Sequence, residues 1–345
     1  MTSNSNATAQ TVLVLGAGSW GATLADLLAR KGLPTRLWSH TQASADRLSL
    51  ERTLPSKLPG FALSEKVLVG YSLDMLIEGA STLVFALPSR HFRAAARLVR
   101  ESVPKVDLTQ RIVVSATKGF EAGSLKPMSV VLSEELGVRF PVALSGPSHA
   151  EEVSAGLPTT VVAAARDHDT ARRIQDLFLT PRFRVYTSED LLGVELGGAL
   201  KNVIAIAVGA AIGMGFGDNT AAALVTRGLA EISRLGAAMG ADPATFSGLS
   251  GLGDLVVTCG SPHSRNRRLG LALAKGIELN EALAEIGMVA EGVEMARSVK
   301  DLSRRYGVEM PISSQVAETL FEGVPVKEAV SALMLRDPKP EKHHP

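Results

Sequence analysis

The stretch TVLVLGAGSWGATLADLLARKG, residues 11 to 32, leaves few options for how this chain can begin. A short aliphatic and β-branched run leads straight into Gly16-Ala-Gly18-Ser19-Trp20-Gly21, and an amphipathic helical pattern follows as far as Gly32. In a strand-turn-helix unit of this kind the first glycine makes the tight turn and the second lets backbone approach a pyrophosphate. The third lets the helix pack close on the strand. The helix N-terminus then offers unpaired N–H groups and partial positive charge to phosphate oxygens. A bare GxGxxG says little, but a strand before it and a helix after it supply the context of a dinucleotide site. Gly16, Gly18, Ser19, Trp20 and Gly21 are therefore its candidate contacts.

The same alternation continues. TRLW, TLVFAL, RIVVSA, VALSG, TTVVAAA and RFRVYT are separated by amphipathic segments up to about residue 187. This predicts an α/β domain, a Rossmann-type doubly wound parallel sheet with helices on both faces. From Leu191 onward the pattern is helical, at 201–211, 220–239, 267–274, 280–286, 295–306, 313–321 and 326–335. The expected organisation is a flexible N-terminus (1–10), a dinucleotide-binding domain (11–190), an all-helical substrate domain (191–335) and a flexible, Pro-rich tail (336–345). SGLGD and GSPHS are expected as functional loops within the helical part. At 345 residues and 46% hydrophobic content, the chain can give both domains a core.

Thirty-six basic residues against 35 acidic ones leave a net charge of +1, so no nucleic-acid footprint is expected and any anion must be held locally. The single cysteine, Cys259, excludes an internal disulfide framework, and it and His263 stand apart, so no metal is expected. The polar N-terminus lacks the layout of a signal peptide, which suggests a cytoplasmic protein. The apolar run 203–216 is broken by three glycines and is shorter than the ~20 residues of a membrane span, so a buried helix is expected rather than membrane insertion.

Ligands of an open α/β sheet lie beyond the carboxyl ends of its strands. TRLW ends in Ser39-His40, where a strictly NAD-type site places a carboxylate, so NADP(H) is tolerated as well as NAD(H). His40, with Arg47, is the candidate contact for a 2′-phosphate. Pro88-Ser89 follows TLVFAL. RIVVSA is followed by Lys118, at the edge of the crevice where a substrate would lie. Gly146 and Ser148 follow VALSG and offer close backbone approach and a hydroxyl.

Six motifs in order, GAGSWG, ATKGF, SGPSHAEEV, ELGGALKNVIAIAVG, SGLGDLVVTC and SRNRRLG, resemble the bacterial NAD(P)-dependent glycerol-3-phosphate dehydrogenases across residues 11–335. The resemblance implies reversible reduction of dihydroxyacetone phosphate to sn-glycerol 3-phosphate, supply of glycerophospholipid synthesis, and a homodimer. Hydride delivered to a ketone leaves charge on its oxygen, and a proton must arrive there. Lys201 matches the family's proton donor and acceptor, and burial together with the nearby Lys118 ammonium would bring its pKa toward neutrality. Asp254 matches the acid beside that lysine and the substrate hydroxyls. Asn202 has two readings, an anchor for its helix or a contact to the nicotinamide amide. Ser264, Arg265 and Asn266 open a helical run and are expected to hold the substrate phosphate, with Arg267 and Arg268 adding positive charge. The resemblance further places Ala150, Arg265, Val289 and Glu291 against the cofactor.

Two segments depart from the family. Gly217-Asp-Asn-Thr220 replaces a GFGxNxR-like sequence, and RTLPSKLPGFAL lacks the usual asparagine, so contacts of residues 52–60 and 217–220 do not carry over. Two other readings compete: a reductase of a β-hydroxy acid or ketopantoate-like substrate, and a non-catalytic NAD(H) sensor. The arginine cluster argues against the first, and retention of Lys118, Lys201 and Asp254 argues against the second.

Overall fold

The computed structural model describes residues 10–287, 290–338, 340 and 341. Val289, and residues 1–9, 339 and 342–345 of the segments expected to be flexible, lie outside the described residues. The strands are β1 (Thr11–Leu15), β2 (Thr35–Trp38), β3 (Thr53–Leu54), β4 (Leu58–Ala62), β5 (Val67–Gly70), β6 (Ala80–Phe85), β7 (Ile112–Ser115), β8 (Val142–Ser145), β9 (Thr159–Ala164) and β10 (Phe183–Ser188). Among the described residues, eight of them form one sheet in the order β10-β9-β8-β7-β6-β1-β2-β5. Side chains of β1 alternate through it. Val12 and Val14 meet Leu24, Ala25 and Leu28 of the helix Ser19–Arg30 on one face, while Leu13 and Leu15 meet Phe85 and Phe92 on the other. Two apolar faces are what a sheet covered on both sides requires.

The sheet is not wholly parallel, as the alternation had suggested. β9 runs antiparallel to β8, and β10 follows β9 in parallel. The connection from β8 to β9 holds only the five-residue helix Ala150–Ser154, whereas a parallel return normally runs through a full crossover helix. An apolar run such as TTVVAAA reads the same in either direction. The hairpin β3–β4 and the edge strand β5 were also not foreseen; they are short, and the hairpin contains Pro59, which weakens the strand signal.

The last strand ends at Ser188, and the 23-residue helix Leu191–Gly213 follows, starting ten residues before the expected Lys201. Glycine disfavours helices, so ELGG hides this start. In the fold those glycines admit neighbouring backbone. A Cβ on Gly197 would lie 2.5 Å from the Ser250 carbonyl oxygen, and one on Gly209 only 2.1 Å from that of Arg267. In return, a Cβ on Gly270 would lie 2.1 Å from the Ile206 carbonyl oxygen. The helices Leu191–Gly213 and Arg265–Ala274 thus cross with their backbones touching. The first of them is long and apolar enough to span a membrane, yet 89% of its most apolar window is buried inside the protein. It is the axis around which Asp218–Met239, Asp254–Gly260, Arg265–Ala274, Glu291–Tyr306 and Pro311–Phe321 pack.

SGLGD is likewise not a loop. Leu249–Gly253 forms one π-helical turn that runs into the helix Asp254–Gly260, an irregularity frequent at functional sites. Gly251 allows it, since a Cβ there would lie 2.2 Å from the Phe246 carbonyl oxygen. The helix after GSPHS begins at Arg265 rather than Arg267, with Ser264 as its cap.

Because the atom facing Gly209 is backbone, it cannot turn away from an added methyl. Gly209→Ala is expected to lower stability by about 1–3 kcal/mol, read as a lower urea midpoint. Gly260→Ala, with nothing within 4 Å of the added Cβ, should leave the midpoint unchanged or raise it. Equal midpoints for both variants would show that the two helices do not touch.

Candidate active site

The site is assembled from strand ends and helix starts. At the end of β1, Gly16 has φ +117°, and a Cβ on it would lie 2.5 Å from the Ala86 carbonyl oxygen beyond β6. A Cβ on Gly21 would lie 1.9 Å from the Gly16 carbonyl oxygen, so the helix Ser19–Arg30 starts in contact with the turn. Gly18, in contrast, faces open space, with nothing within 4 Å of where its Cβ would be. Trp20 Nε1, in the first helical turn, is buried without an acceptor among the described residues. A closed turn, an open approach at Gly18 and a helix N-terminus fit a dinucleotide pyrophosphate. Ser19 Oγ donates to the Lys57 carbonyl at 2.8 Å, which folds the β3–β4 hairpin against the same turn. Beyond β2, Ser39 is buried with its N–H donating to the Gly70 carbonyl, and His40 is exposed. Arg47 is exposed on the helix Gln42–Glu51.

Three charged groups meet where the sheet faces the helical part. Lys201 Nζ lies 2.8 Å from Asp254 Oδ1, and Lys118 Nζ lies 2.7 Å from Asp254 Oδ2. Lys118 comes from the loop after β7, Lys201 from the axial helix and Asp254 from the end of the π turn. Lys118 Nζ also donates to the Gly146 carbonyl at 2.8 Å and to Ser148 Oγ at 3.4 Å, and Ser148 Oγ donates to the Gly146 carbonyl. Lys201 Nζ donates to Thr258 Oγ1 at 2.6 Å, and that hydroxyl donates to the Asp254 carbonyl. Asp254 is 1% exposed and Lys201 5%, so both charges depend on one another and on Lys118.

Burial lowers the Lys201 pKa, Asp254 opposes the shift and Lys118 adds to it, leaving the group at about 8. Burial alone would raise the Asp254 pKa, but Lys118 and Lys201 together hold it below the usual carboxylate value. His149 is held below the ordinary imidazole value by burial and by the two lysines.

The second pole is the start of the helix Arg265–Ala274. Ser264 Oγ accepts the Arg267 N–H at 3.2 Å, which leaves its own hydrogen to donate. Arg265 is open to solvent yet surrounded by protein, the condition of a group in a crevice; burial lowers its pKa, and Glu291 and Glu151 oppose that. Glu151 brings the SGPSHAEEV segment, with Ala150 beside it, to Arg265. The His149 and His263 rings, 6.2 Å apart, join the same segment to the loop before Ser264. Asn266 also has internal partners. Its amide Nδ2 donates to Asn202 Oδ1 at 2.9 Å, and its Oδ1 accepts the Gly292 N–H at 3.0 Å. The side chain is buried and ties three helices together through these bonds, and its amide keeps a second N–H and a second lone pair. The first of these bonds gives Asn202 an anchoring contact.

Thr258, His149 and the partner of Ser89 escaped the sequence reading. Thr258 follows Asp254 by one helical turn, a spacing visible only once that segment is known to be helical. Ser89 donates to Glu291, and its partner lies 202 positions away. His149 Nε2 and Ser145 Oγ are buried beside the lysines without partners among the described residues.

Family models described as the N-terminus and the C-terminus of NAD-dependent glycerol-3-phosphate dehydrogenase match residues 11–171 and 190–331. A glycerol-3-phosphate dehydrogenase [NAD(P)+] of Chlorobium limicola is 50% identical over 96% of this chain and 99% of its own length. That of Moorella thermoacetica is 48% identical over 95% and 96%. The crystal structure of glycerol-3-phosphate dehydrogenase from Coxiella burnetii superposes with a TM-score of 0.90 at 38% identity, covering 95% of this chain and 99% of that one. A ketopantoate reductase from Ralstonia eutropha shares the fold at a TM-score of 0.60 and 16% identity, over 93% and 99%. Both halves of the chain are thus matched by one family, and the chain belongs to the NAD(P)-dependent glycerol-3-phosphate dehydrogenases.

Proposed function

We propose that this protein reduces dihydroxyacetone phosphate reversibly to sn-glycerol 3-phosphate with NADH or NADPH, as a cytoplasmic homodimer. The observation that carries the reading is the buried Lys118–Asp254–Lys201 arrangement beside an arginine at a helix start. Bound reduced nicotinamide supplies a hydride to the carbonyl carbon. Charge then builds on the carbonyl oxygen, and Lys201 delivers the proton; in the reverse direction it removes it. A pKa of about 8 suits both tasks near neutral pH. Asp254 fixes the ammonium in direction, and Thr258 receives a second of its hydrogens, which leaves the third for the substrate. Lys118, held by Gly146 and Asp254, keeps one excess positive charge in the group and favours an anionic substrate. The phosphate is held by Arg265, the Ser264 hydroxyl and Asn266 at the N-terminus of the helix Arg265–Ala274. Exposed Met334 and Leu335, at the end of the helix Val326–Met334, suit a contact between copies.

The direct test is oxidation of NADH and NADPH in parallel, with dihydroxyacetone phosphate and with ketopantoate. Turnover with the phosphate substrate alone is expected, and the cofactor ratio reports on His40. Cofactor binding without turnover on either substrate would favour a sensor.

Lys201→Met should reduce kcat by about 10²–10⁴-fold, the usual range for a lost acid-base group, with cofactor binding retained; a loss of only a few-fold would remove its proton-transfer role. Arg265→Ala should raise the KM for dihydroxyacetone phosphate by about 10–100-fold, as for one charge-assisted contact. An unchanged KM would place the phosphate elsewhere.

Lys201 must be charged to donate and neutral to accept. Reduction should therefore decline above about pH 8 and oxidation should rise through it. Lys118→Met removes a like charge and should move this inflection upward, while Asp254→Asn removes the opposite charge and should move it downward. Shifts of the same sign would show that another group titrates.

A further inference from the structure

Glu291 opens the helix Glu291–Tyr306 on the helical side of the crevice, and Ser89 opens the helix Ser89–Ser102 on the sheet side. Two hydrogen bonds join them. The Ser89 N–H donates to Glu291 Oε1 at 3.2 Å, and Ser89 Oγ donates to Oε2 at 2.6 Å. Gly119, next to Lys118, packs against the pair. A Cβ there would lie 2.8 Å from Ser89 Cβ and 3.2 Å from Glu291 Oε2. Arg265 acts on the same carboxylate electrostatically. Groups from the end of β6, the end of β7 and two helices of the other half therefore converge on one contact.

The arrangement has a physical logic. A glutamate side chain has three torsions to immobilise, and a carboxylate withdrawn from water needs donors. Ser89 supplies two of them at the positive end of a 14-residue helix. Neither donor comes from the half of the protein that carries Glu291. The bond can form only when the two halves are correctly docked, and Gly119 has no side chain to hold them apart.

We infer that Ser89 is a positioning residue, holding the Glu291 carboxylate across the boundary between the halves at the place from which it meets the cofactor, with the Lys118–Gly119 turn seated against it. The inference rests on the reading above in which Glu291 faces the cofactor. The hydroxyl does no chemistry on the substrate, so its loss is felt first in cofactor affinity.

The experiment is titration of the full-length protein with NADH, followed by fluorescence, together with steady-state kinetics, for Ser89→Ala, Ser89→Thr, Gly119→Ala, Glu291→Gln and the Ser89→Ala/Glu291→Gln pair. Ser89→Ala should raise the NADH Kd by about 5–30-fold, the range for a hydrogen bond to a charged group, with a smaller effect on the KM for dihydroxyacetone phosphate. Ser89→Thr, which keeps the hydroxyl, should recover most of the affinity. Gly119→Ala should weaken NADH binding by wedging the pair apart. The double variant should bind no worse than Glu291→Gln alone.

A pH profile separates positioning from mere support. Burial raises the Glu291 pKa and the Ser89 bonds lower it, with Arg265 and Glu294 the charged groups acting on it. Without the hydroxyl, the acid limb of NADH binding should therefore move to higher pH. If Ser89→Ala and Gly119→Ala both bind NADH as the parent does while Glu291→Gln does not, Ser89 has no positioning role although Glu291 meets the cofactor. If Glu291→Gln is also without effect, the reading of Glu291 itself is wrong. Should Ser89→Ala fail to fold, Gly119→Ala and Ser89→Thr decide the matter on their own.

Discussion

One carboxylate, Asp254, is shared between two ammonium groups, and much of the molecule exists to make that sharing possible. Burying a carboxylate is costly, and burying a lysine hardly less so. Each becomes tenable here because Lys118 arrives from the sheet while Lys201 and Asp254 arrive from two crossing helices. The arrangement links the halves electrostatically at the point where chemistry is required. It also sets the working pKa: a lysine with only a carboxylate partner would stay firmly charged, and one with only burial would be neutral. The two opposed influences, with Lys118 tipping the balance, leave the group at about 8.

Lys201 sits at the edge of a long uncharged stretch because its helix is enclosed on nearly every side. Backbone from the π turn lies against Gly197, Ser145 Oγ lies at Gly198, and backbone of the helix Arg265–Ala274 lies at Gly209. Close packing of this order needs glycine at the contact points and leaves no room for charged side chains. It also fixes Lys201 relative to the start of the helix Arg265–Ala274, since Gly209 touches Arg267 two residues from Arg265. The spacing between Lys201 and Arg265 is therefore set by backbone against backbone, which is stiffer than any side-chain contact.

Hydrophobic periodicity exposed most of the scaffold, and for a clear reason: both faces of the sheet are buried, so β1, β6, β7 and β8 read as largely apolar runs before glycine, proline or polar residues. Strand direction was not legible, because pairing sense depends on the connection and not on the strand, as β9 demonstrates. Glycine misled in two places. In ELGG and SGLGD it suggests breaks, but the structure uses it to let helices continue under close approach. The lysines and Asp254 stood out as charged residues in apolar or Gly-rich surroundings. Asn266 stood beside Arg265 and looked like a ligand group, and its buried amide also has two internal partners that serve the scaffold. Local sequence cannot distinguish these uses, since its partners Asn202 and Gly292 are 64 and 26 positions away.

A second device recurs beneath the first. Three carboxylates on helices of the C-terminal part each accept hydrogen bonds from the start of another helix. Glu195 takes the Ser129 N–H and hydroxyl, Glu231 takes the Ile312 and Ser313 N–H groups with the Ser313 hydroxyl, and Glu291 takes those of Ser89. A helix N-terminus lacks partners for its first N–H groups and carries partial positive charge. A local cap would satisfy these donors within one segment; a glutamate from elsewhere satisfies them only when two elements are docked. Two of the three, Glu195 and Glu291, reach across to the nucleotide-binding half, one at the buried start of the axial helix and one at the crevice. Apolar contact between the halves could slide by a residue's width at little cost, but a carboxylate matched to two donors has one good position. Burial raises the pKa of all three, Glu195 to about 7, which shows how little solvent remains to replace a lost donor. The apolar core supplies the cohesion of the two halves, and these directed contacts supply the registration that brings Lys118 within reach of Asp254.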